Sequence, residues 1–466
     1  MSLFNYFKSS ESPSENMTRE TIQAQSGKIR LSDTDLETGL DLFCYHKCDN
    51  NETDLVKNCR GVIYNGDKIV MRGFPYTDEY TCDNMSELRS ALKKGIGEYR
   101  YFEAHEGALL RVFYWKEKWY ITTHRKLDAF RSKWASKDSF GMLFRDALEY
   151  KRKQRNEEFM KQCYGDEWDK KDNVVDEKSD ILNDFLTSLD TTKQYMFLIL
   201  NNYDNRIVCV SPEEPTVYHV GTFSTTVVDD VQVPDTKCDL TTRVGLDWPR
   251  SYTFNSWEEI NDVVMSQNSE NSQGVIIYDP DSSTQFKLYN NEYYELFKVR
   301  GNEPSVKFRY LQVRNDKRLV DQLYYLYPKY ADAFDNYENT LYECAKQINK
   351  NYIDRFIKKK YVTVPKEEFN IMKGCHDWHL MDREKNRISL RKVIDTMNEQ
   401  SPSNLNRIIR RYRSEQVKDE LSRQTKMTRL RARSLSHHSE EASLRNSGEF
   451  RQRTPQVHSS EHIESN

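Results

Sequence analysis

Short stretches of alternating apolar and polar residues mark the first two thirds of the chain. Alternation with a period of two places every second side chain on the same face, which predicts half-buried β-strands. The predicted strands cover residues 61–71, 101–115, 118–123, 195–201, 206–211 and 274–278, with a hairpin turn at 114–119. This pattern indicates an α+β domain with mostly antiparallel strands and a groove between its sheets.

Helical periodicity appears in two other regions. Residues 138–190 are strongly charged and predict a helical insertion, and residues 319–327, 337–348 and 388–397 place apolar side chains at helical spacing. We predict four parts: a flexible N-terminus (1–30), the α+β domain (31–315), a mostly helical domain (316–414) and a tail (415–466). The tail is basic and Ser-rich with few aromatic residues, which predicts disorder.

Composition narrows the class of protein. With 466 residues, of which 37% are hydrophobic and 31% charged, the chain is typical of a soluble protein without membrane spans. Its N-terminus has no apolar core followed by a small-residue cleavage site, so secretion is not expected. The nine cysteines are odd in number and scattered, which favours reduced thiols. We therefore expect a cytoplasmic or nuclear protein.

The formal net charge is only −3, but basic residues are clustered along the chain. One cluster includes Lys358, Lys359 and Lys360, and another runs from Arg423 to Arg433 without an acidic residue. Such runs neutralise phosphates without reading bases, so RNA is the partner that they suggest. The simpler interpretation of any single cluster is a solvated helix face.

Two groups of potential metal ligands do not complete a site. Cys44, His46 and Cys48 lie within five residues, but no second pair follows at the spacing of a zinc knuckle. His376 and His379 lack a third ligand. We therefore assign no residue as a metal ligand.

Six segments occur in an order that carries a family resemblance. They are residues 59–64, 101–107, 119–126, 205–208, 273–277 and 286–289. In this order they resemble the RNA ligases of the covalent nucleotidyltransferase superfamily, most closely the tRNA-repair type of T-even bacteriophages. The resemblance covers roughly residues 40–315. It implies an antiparallel-rich nucleotidyltransferase domain of the ATP-grasp-like ligase kind, followed by a helical domain.

The chain departs from the family at the residues that carry the chemistry. In the family, a lysine forms a covalent adenylate with ATP, and glutamates bind ribose and metal. Here Ala104 stands at the lysine position and Glu106 at that of the following aspartate. Leu198 and Gln273 replace the two glutamates, and Tyr289 replaces the second lysine of a late strand. The resemblance thus implies degenerate catalytic motifs.

The anion-binding positions are kept. The resemblance implies that phosphates are contacted by Arg60, Lys126, Arg206 and Lys287. It also implies that Glu106 and Gly107 shape the pocket, and that Gln273 stays polar without holding a metal. The nucleotide would be ATP, and an active enzyme would also need Mg²⁺.

Three hypotheses remain open for the function. In the first, the protein binds nucleotide and RNA ends without standard lysine adenylylation. In the second, it is an active ATP-dependent RNA ligase with another nucleophile, His105 or Lys126. In the third, it is a non-enzymatic scaffold. A groove lined by arginine and lysine favours binding. A groove filled by the protein's own aromatic side chains favours a scaffold.

Overall fold

The computed structural model describes residues 17–164, 180–228, 231–234 and 240–449. The chain divides into two compact units, Met1–Val306 and Lys307–Asn466. No described helix is both long and apolar enough to cross a membrane. Residues 1–16 of the predicted flexible N-terminus and residues 450–466 of the predicted tail lie outside the described part.

The first unit is an α+β structure. Its strands are β1 Ile29–Asp35, β2 Leu40–Tyr45, β3 Arg60–Asn65, β4 Lys68–Met71, β5 Asp78–Thr81, β6 Arg100–Ala104, β7 Gly107–Trp115, β8 Lys118–Thr122, β9 Lys193–Leu200, β10 Val217–Val228, β11 Val231–Pro234, β12 Ser251–Tyr252, β13 Gly274–Tyr278 and β14 Gln285–Tyr289. Its helices are α1 Arg19–Ala24, α2 Asp54–Asn58, α3 Met85–Ala91, α4 Phe140–Tyr164, α5 Ile181–Thr187, α6 Leu240–Val244, α7 Trp257–Ser266 and α8 Asn291–Arg300.

These strands form three sheets. The four-stranded sheet has the order β1-β2-β3-β4, and the two five-stranded sheets have the orders β11-β10-β9-β7-β8 and β12-β6-β13-β14-β5. Every described pair is antiparallel except β14 with β5. We call the two five-stranded sheets the β9 sheet and the β13 sheet. The predicted antiparallel-rich α+β class is therefore confirmed.

Separate apolar clusters hold helices against the outer faces of these sheets. Phe144 of α4 and Phe185 of α5 pack on Phe197 of the β9 sheet. Ile260 of α7 packs with Val275 on the β13 sheet. Because helices cover these outer faces, the inner faces of the two sheets are left to build a cavity.

Most predicted strands are present, with two kinds of correction. The predicted strands 61–71 and 101–115 are each two strands separated by a turn. The predicted strand 206–211 is absent, because three of its backbone N–H groups donate to the carboxylate of Glu106. The predicted hairpin at 114–119 is confirmed, because Trp115 pairs with Lys118 across two residues with positive φ.

The second unit is helical in its described part. Its helices are α9 Val306–Val313, α10 Lys317–Leu326, α11 Ala331–Tyr352, α12 Lys366–Met381, α13 Leu390–Asn398 and α14 Pro402–Glu449, with α9 beginning at the last residue of the first unit. Leu341 of α11, Val393 of α13 and Ile408 of α14 are among its fully buried side chains. This agrees with the helical spacing of apolar residues in 319–327, 337–348 and 388–397.

Two predicted segment boundaries, at residues 30 and 415, differ from the structure. The predicted N-terminal flexible segment ran to residue 30, but α1 forms within it and buries Ile22, because Thr18 caps its first turn. The predicted disordered tail began at 415, whereas α14 continues to Glu449. Every described side chain from Ser414 to Arg431 is exposed, so this part of α14 is helical without entering a core.

Candidate functional site

A cavity of about 200 Å³ lies between the inner faces of the β9 sheet and the β13 sheet. Leu109 of β7, Leu198 of β9 and Val220 of β10 line one side. Ile276 of β13 and Lys287 of β14 line the other. Of the residues selected from the sequence, the cavity wall includes Arg60, His105, Glu106, Gly107, Gln273 and Lys287. Segments that are far apart in the chain therefore meet here.

Two cations lie on the cavity wall. The Arg60 guanidinium donates to the Pro75 carbonyl oxygen at 3.1 Å and to the Thr77 hydroxyl at 3.3 Å. The Lys287 ammonium donates to the side-chain oxygen of Gln273 at 2.9 Å. Burial lowers the pKa of Lys287, and the nearby Arg60 charge adds to this effect against the opposing charge of Glu79. Among the described residues, no carboxylate lies within the 4.0 Å ion-pair distance of either cation.

A buried chain of hydrogen bonds fixes the orientation of Gln273. Its side-chain nitrogen donates to the Tyr293 hydroxyl oxygen at 2.7 Å, and the Tyr293 hydroxyl is hydrogen-bonded to Glu106. Burial and the Glu106 charge raise the pKa of Tyr293, so its hydroxyl keeps its proton. With its nitrogen held by Tyr293, Gln273 must point its oxygen at Lys287. Sequence reasoning missed Tyr293, a buried residue of α8 whose neighbours in the sequence give no sign of these contacts.

Glu106 has a structural task that its sequence position does not reveal. Its carboxylate accepts hydrogen bonds from the backbone N–H groups of Ile207 at 3.0 Å, Val208 at 2.5 Å and Cys209 at 3.0 Å. These backbone donors are the groups that a strand ladder would have used. The segment 206–211 therefore folds as an irregular loop around one buried carboxylate, and the predicted strand is absent.

Gly107 and Ala104 bracket the turn from β6 to β7. A Cβ atom on residue 107 would clash with the Ile199 carbonyl oxygen of β9, so only glycine allows this close approach. Ala104 pairs with Gly274 across β6 and β13 and is 1% exposed. Its methyl group does not line the cavity. The position that the family resemblance assigns to the nucleophilic lysine thus offers no reactive atom.

His105 and Glu103 line the cavity next to this position. The His105 ring stacks on Tyr218 with centroids 5.2 Å apart, and its Nε2 lies 3.8 Å from a Glu103 carboxylate oxygen. Burial lowers the pKa of His105 to about 4 and raises the pKa of Glu103. Nε2 has no hydrogen-bond partner among the described residues and less than 1 Å² of exposed surface. At neutral pH this imidazole is uncharged and covered.

The other end of the cavity is apolar and aromatic. Phe102 and Trp248 stack there with ring centroids 5.4 Å apart and planes inclined by 24°. Phe74, Ile207 and Ile276 are further apolar residues of the cavity lining. The cavity therefore offers a cationic end for an anion and an apolar end for a flat ring. This division of polarity suits a nucleotide, whose phosphate and base have these opposite characters.

Two residues selected from the sequence are placed elsewhere. Lys126 lies outside the cavity wall, with its ammonium 3.5 Å from the carboxylate of Asp33. Arg206 is buried beneath the loop that Glu106 organises, and its Nε donates to the Val208 carbonyl oxygen at 3.2 Å. Neither residue forms part of the cavity wall, so the structure does not bring them to Arg60 and Lys287.

The carboxylates at the cavity do not fit a protein-held Mg²⁺. Glu106 already accepts three backbone hydrogen bonds, and burial favours the protonated form of Glu103. Magnesium prefers charged oxygen ligands in an octahedral arrangement, which these two side chains cannot supply. Across the described residues, no group of three or more His, Cys, Asp or Glu side chains is arranged to hold a metal ion.

The fold and the site define the class: an α+β protein with a cavity, cationic at one end and apolar at the other, between two largely antiparallel sheets. No protein-family model matches the chain. It is 30% identical over 412 residues to an immediate-early protein ICP-46 homolog of Invertebrate iridescent virus 6, covering 85% of each chain. It is also 25% identical over 283 residues to immediate-early protein ICP-46 of Frog virus 3 (isolate Goorha), covering 60% of this chain and 64% of that one. The chain belongs to the ICP-46 immediate-early protein family.

Solved structures that are similar to this chain are ATP-dependent ligases, at low identity. A putative ATP-dependent DNA ligase from Aquifex aeolicus is 12% identical with a TM-score of 0.34, over 72% of this chain and 80% of that chain. An archaeal ATP-dependent RNA ligase is 13% identical with a TM-score of 0.35, over 65% and 68%. A Naegleria gruberi RNA ligase mutant with AMP and Mn is 10% identical with a TM-score of 0.29, over 48% and 58%. Because all three TM-scores lie below 0.5, nothing about the chemistry of this chain is inferred from them.

Proposed function

We propose that the protein binds nucleotides and RNA ends in the cavity between the β9 and β13 sheets, without standard lysine adenylylation. The observation that carries this proposal is the pair of half-buried cations, Arg60 and Lys287, with no carboxylate in ion-pair range among the described residues. Removing a cation from water costs free energy unless an opposite charge compensates. A phosphate group would supply that charge to both residues.

The shape and polarity of the cavity support a ligand role over a scaffold role. A scaffold was expected to fill its groove with its own aromatic side chains, but a volume of about 200 Å³ remains open beside Phe102 and Trp248. This volume is below the ~300–1,000 Å³ that is common for drug-sized ligands. It therefore favours a small occupant such as one nucleotide.

Three placements support the absence of a lysine nucleophile in the cavity. Ala104 has no reactive atom, Lys126 lies outside the cavity beside Asp33, and Lys287 is held by Gln273. Leu198 lines the cavity where the resemblance implies a glutamate, so the wall is apolar at that point. These replacements support binding without transfer of the adenylyl group to lysine.

A binding measurement tests the proposal. We expect Arg60→Ala and Lys287→Met each to weaken the binding of ATP and of a short 5′-phosphorylated RNA by about 1–3 kcal/mol, the range for charge-assisted hydrogen bonds. Lys126→Ala is the matched control, because its ammonium pairs with Asp33 outside the cavity. Titration calorimetry gives the affinities, and circular dichroism reports whether the fold is kept. Wild-type affinity in both cavity variants would show that the ligand binds elsewhere.

An active ligase that uses His105 is the second candidate function. It is favoured by an uncharged imidazole on the cavity wall, whose Nε2 has no hydrogen-bond partner in the described structure. In such a step Nε2 would bond to the α-phosphorus of ATP as the bond to pyrophosphate breaks. Because Nε2 is covered, the ring would first have to turn away from Tyr218. A nucleotide adduct found on His105 by peptide mass spectrometry, and lost in His105→Gln, would establish this candidate.

A further inference from the structure

A second concave surface adjoins the cavity, and we call it the β12 groove. It has a volume of about 510 Å³ and is lined by residues of two segments, 96–102 and 248–254. Phe102, Trp248 and Pro249 line both the groove and the cavity. The stacked pair of Phe102 and Trp248 therefore stands where the two spaces meet. The groove therefore lies directly beside the cavity.

Flat rings and cations are combined in the β12 groove. Tyr252 is half-buried and stacks on the buried Phe254, with ring centroids 5.7 Å apart. Arg100 is an exposed part of the lining, and the Arg250 guanidinium, which does not line the groove, lies over the Tyr252 ring at 5.2 Å. Ser251 and Thr253 add exposed side-chain hydroxyls. None of the residues that line the groove is acidic.

This combination matches the way in which proteins bind single-stranded nucleic acid without reading its sequence. Bases stack on aromatic side chains, while arginine and hydroxyl groups contact the backbone phosphates. A peptide added to the sheet edge fits less well, because β12 has only the two residues Ser251 and Tyr252. A longer edge would be needed for a stable added strand.

We propose that the β12 groove binds the nucleotides that follow a terminal nucleotide held in the cavity, so that the preferred ligand is the end of a single nucleic-acid strand. This proposal rests on the proposed function, since the cavity must hold the terminal nucleotide. Trp248 or Phe102 contacts the first base, and Tyr252 and Arg100 contact a base and a phosphate further along. The groove makes the affinity increase with the length of the strand. A mononucleotide binds in the cavity alone.

The test compares uridine 5′-monophosphate with 5′-phosphorylated oligouridylates of two, three and six nucleotides, at one fixed salt concentration. For the wild-type protein we expect the trinucleotide to bind about 5- to 100-fold more tightly than the mononucleotide, with little further gain at six. Tyr252→Leu keeps an apolar side chain without a ring face, and Arg100→Gln removes an exposed cation of the groove lining. Both variants should lose most of the gain and keep the mononucleotide affinity.

A matched arginine controls for charge alone. Arg89 lies over the Trp257 ring at 5.5 Å on the same unit but does not line the groove, so Arg89→Ala should keep the full gain. A gain that persists in both groove variants would overturn the proposal. Equal affinity of wild-type protein for mononucleotide and trinucleotide would overturn it too, while the cavity proposal stands. If the mononucleotide fails to bind but oligonucleotides bind through Tyr252, the cavity proposal fails, and the groove proposal fails with it because no terminal nucleotide is held in the cavity.

Discussion

The Lys287 ammonium donates to the side-chain oxygen of Gln273 at 2.9 Å, and this pair decides the electrostatics of the cavity. A neutral amide orients the lysine without cancelling its charge. A glutamate at position 273, which the ligase resemblance implies, would form an ion pair with the same ammonium. The glutamine that replaces the glutamate of the ligase pattern therefore keeps a cation available for an anionic ligand.

Gln273→Glu tests this view of the pair. We expect the substitution to weaken ATP binding in the absence of divalent metal by about 1–3 kcal/mol, because the new carboxylate competes with phosphate for Lys287. Calorimetric titration in the presence of a chelator measures the effect. Gln285→Glu is a suitable control, since Gln285 also lines the cavity but accepts from Thr77 and not from a cation. Stronger binding in Gln273→Glu without metal would contradict the argument.

The protein should not form a lysyl-adenylate. The lining of the cavity contains a single lysine, Lys287, and its nitrogen is held by Gln273. After incubation with α-labelled ATP and Mg²⁺, we expect no label on any lysine-containing peptide by mass spectrometry. Label on Lys287 or Lys126 would refute this prediction. Loss of that label in the corresponding methionine variant would then identify the nucleophile.

The sequence located the cavity because its walls are built from patterned strands. The apolar run Gly274–Tyr278 predicted one strand of the wall, and the order of motifs selected Arg60 and Lys287. The pattern failed at 206–211, where apolar Ile207 and Val208 suggested a strand. There a carboxylate about a hundred positions earlier, Glu106, binds the backbone N–H groups. Local periodicity has no access to such a long-range partner.

The same limit explains what else was missed. Tyr293 has no polar signature in the sequence, because its role depends on Gln273 and Glu106 arriving from distant strands. Trp248 and Tyr252 lie in a segment whose short edge strand of two residues gives no periodic signal. Lys126 was selected from a basic run, but only the fold reveals that Asp33 lies beside it. Chemistry that depends on tertiary neighbours could not be predicted from the local pattern.

Glu106 should matter for stability more than Glu103, although the two are close in sequence. In Glu106→Gln an NH₂ group replaces one of the two oxygens that accept from the backbone N–H groups of Ile207, Val208 and Cys209. Because an NH₂ group cannot accept these hydrogen bonds, at least one backbone N–H loses its partner. We expect a loss of about 2–4 kcal/mol in the free energy of unfolding, measured with urea. Glu103→Gln is the control and should change it by less than about 1 kcal/mol. Equal losses in both variants would mean that the backbone contacts of Glu106 are unimportant.

The stability of the protein should fall on mild acidification, in part because of His105. Burial lowers its pKa in the folded protein to about 4 from the ordinary value of 6.5. Between these values the unfolded chain binds a proton at this residue and the folded protein does not, so protonation favours unfolding. The contribution is absent above pH 6.5, grows as the pH falls, and is complete below about pH 4.

His105→Gln removes this proton-binding difference. We expect the variant to lose less stability than the wild type between pH 7 and pH 4, by at most about 3 kcal/mol at 1.36 kcal/mol per pKa unit. Urea unfolding at a series of pH values measures the slope. His46→Gln is the control, because His46 is exposed on the same unit and does not line the cavity. His124 also has a pKa lowered by burial, to about 3, so part of the slope should persist in His105→Gln. An identical slope in the wild type and His105→Gln would show that the imidazole is protonated as readily in the cavity as in water.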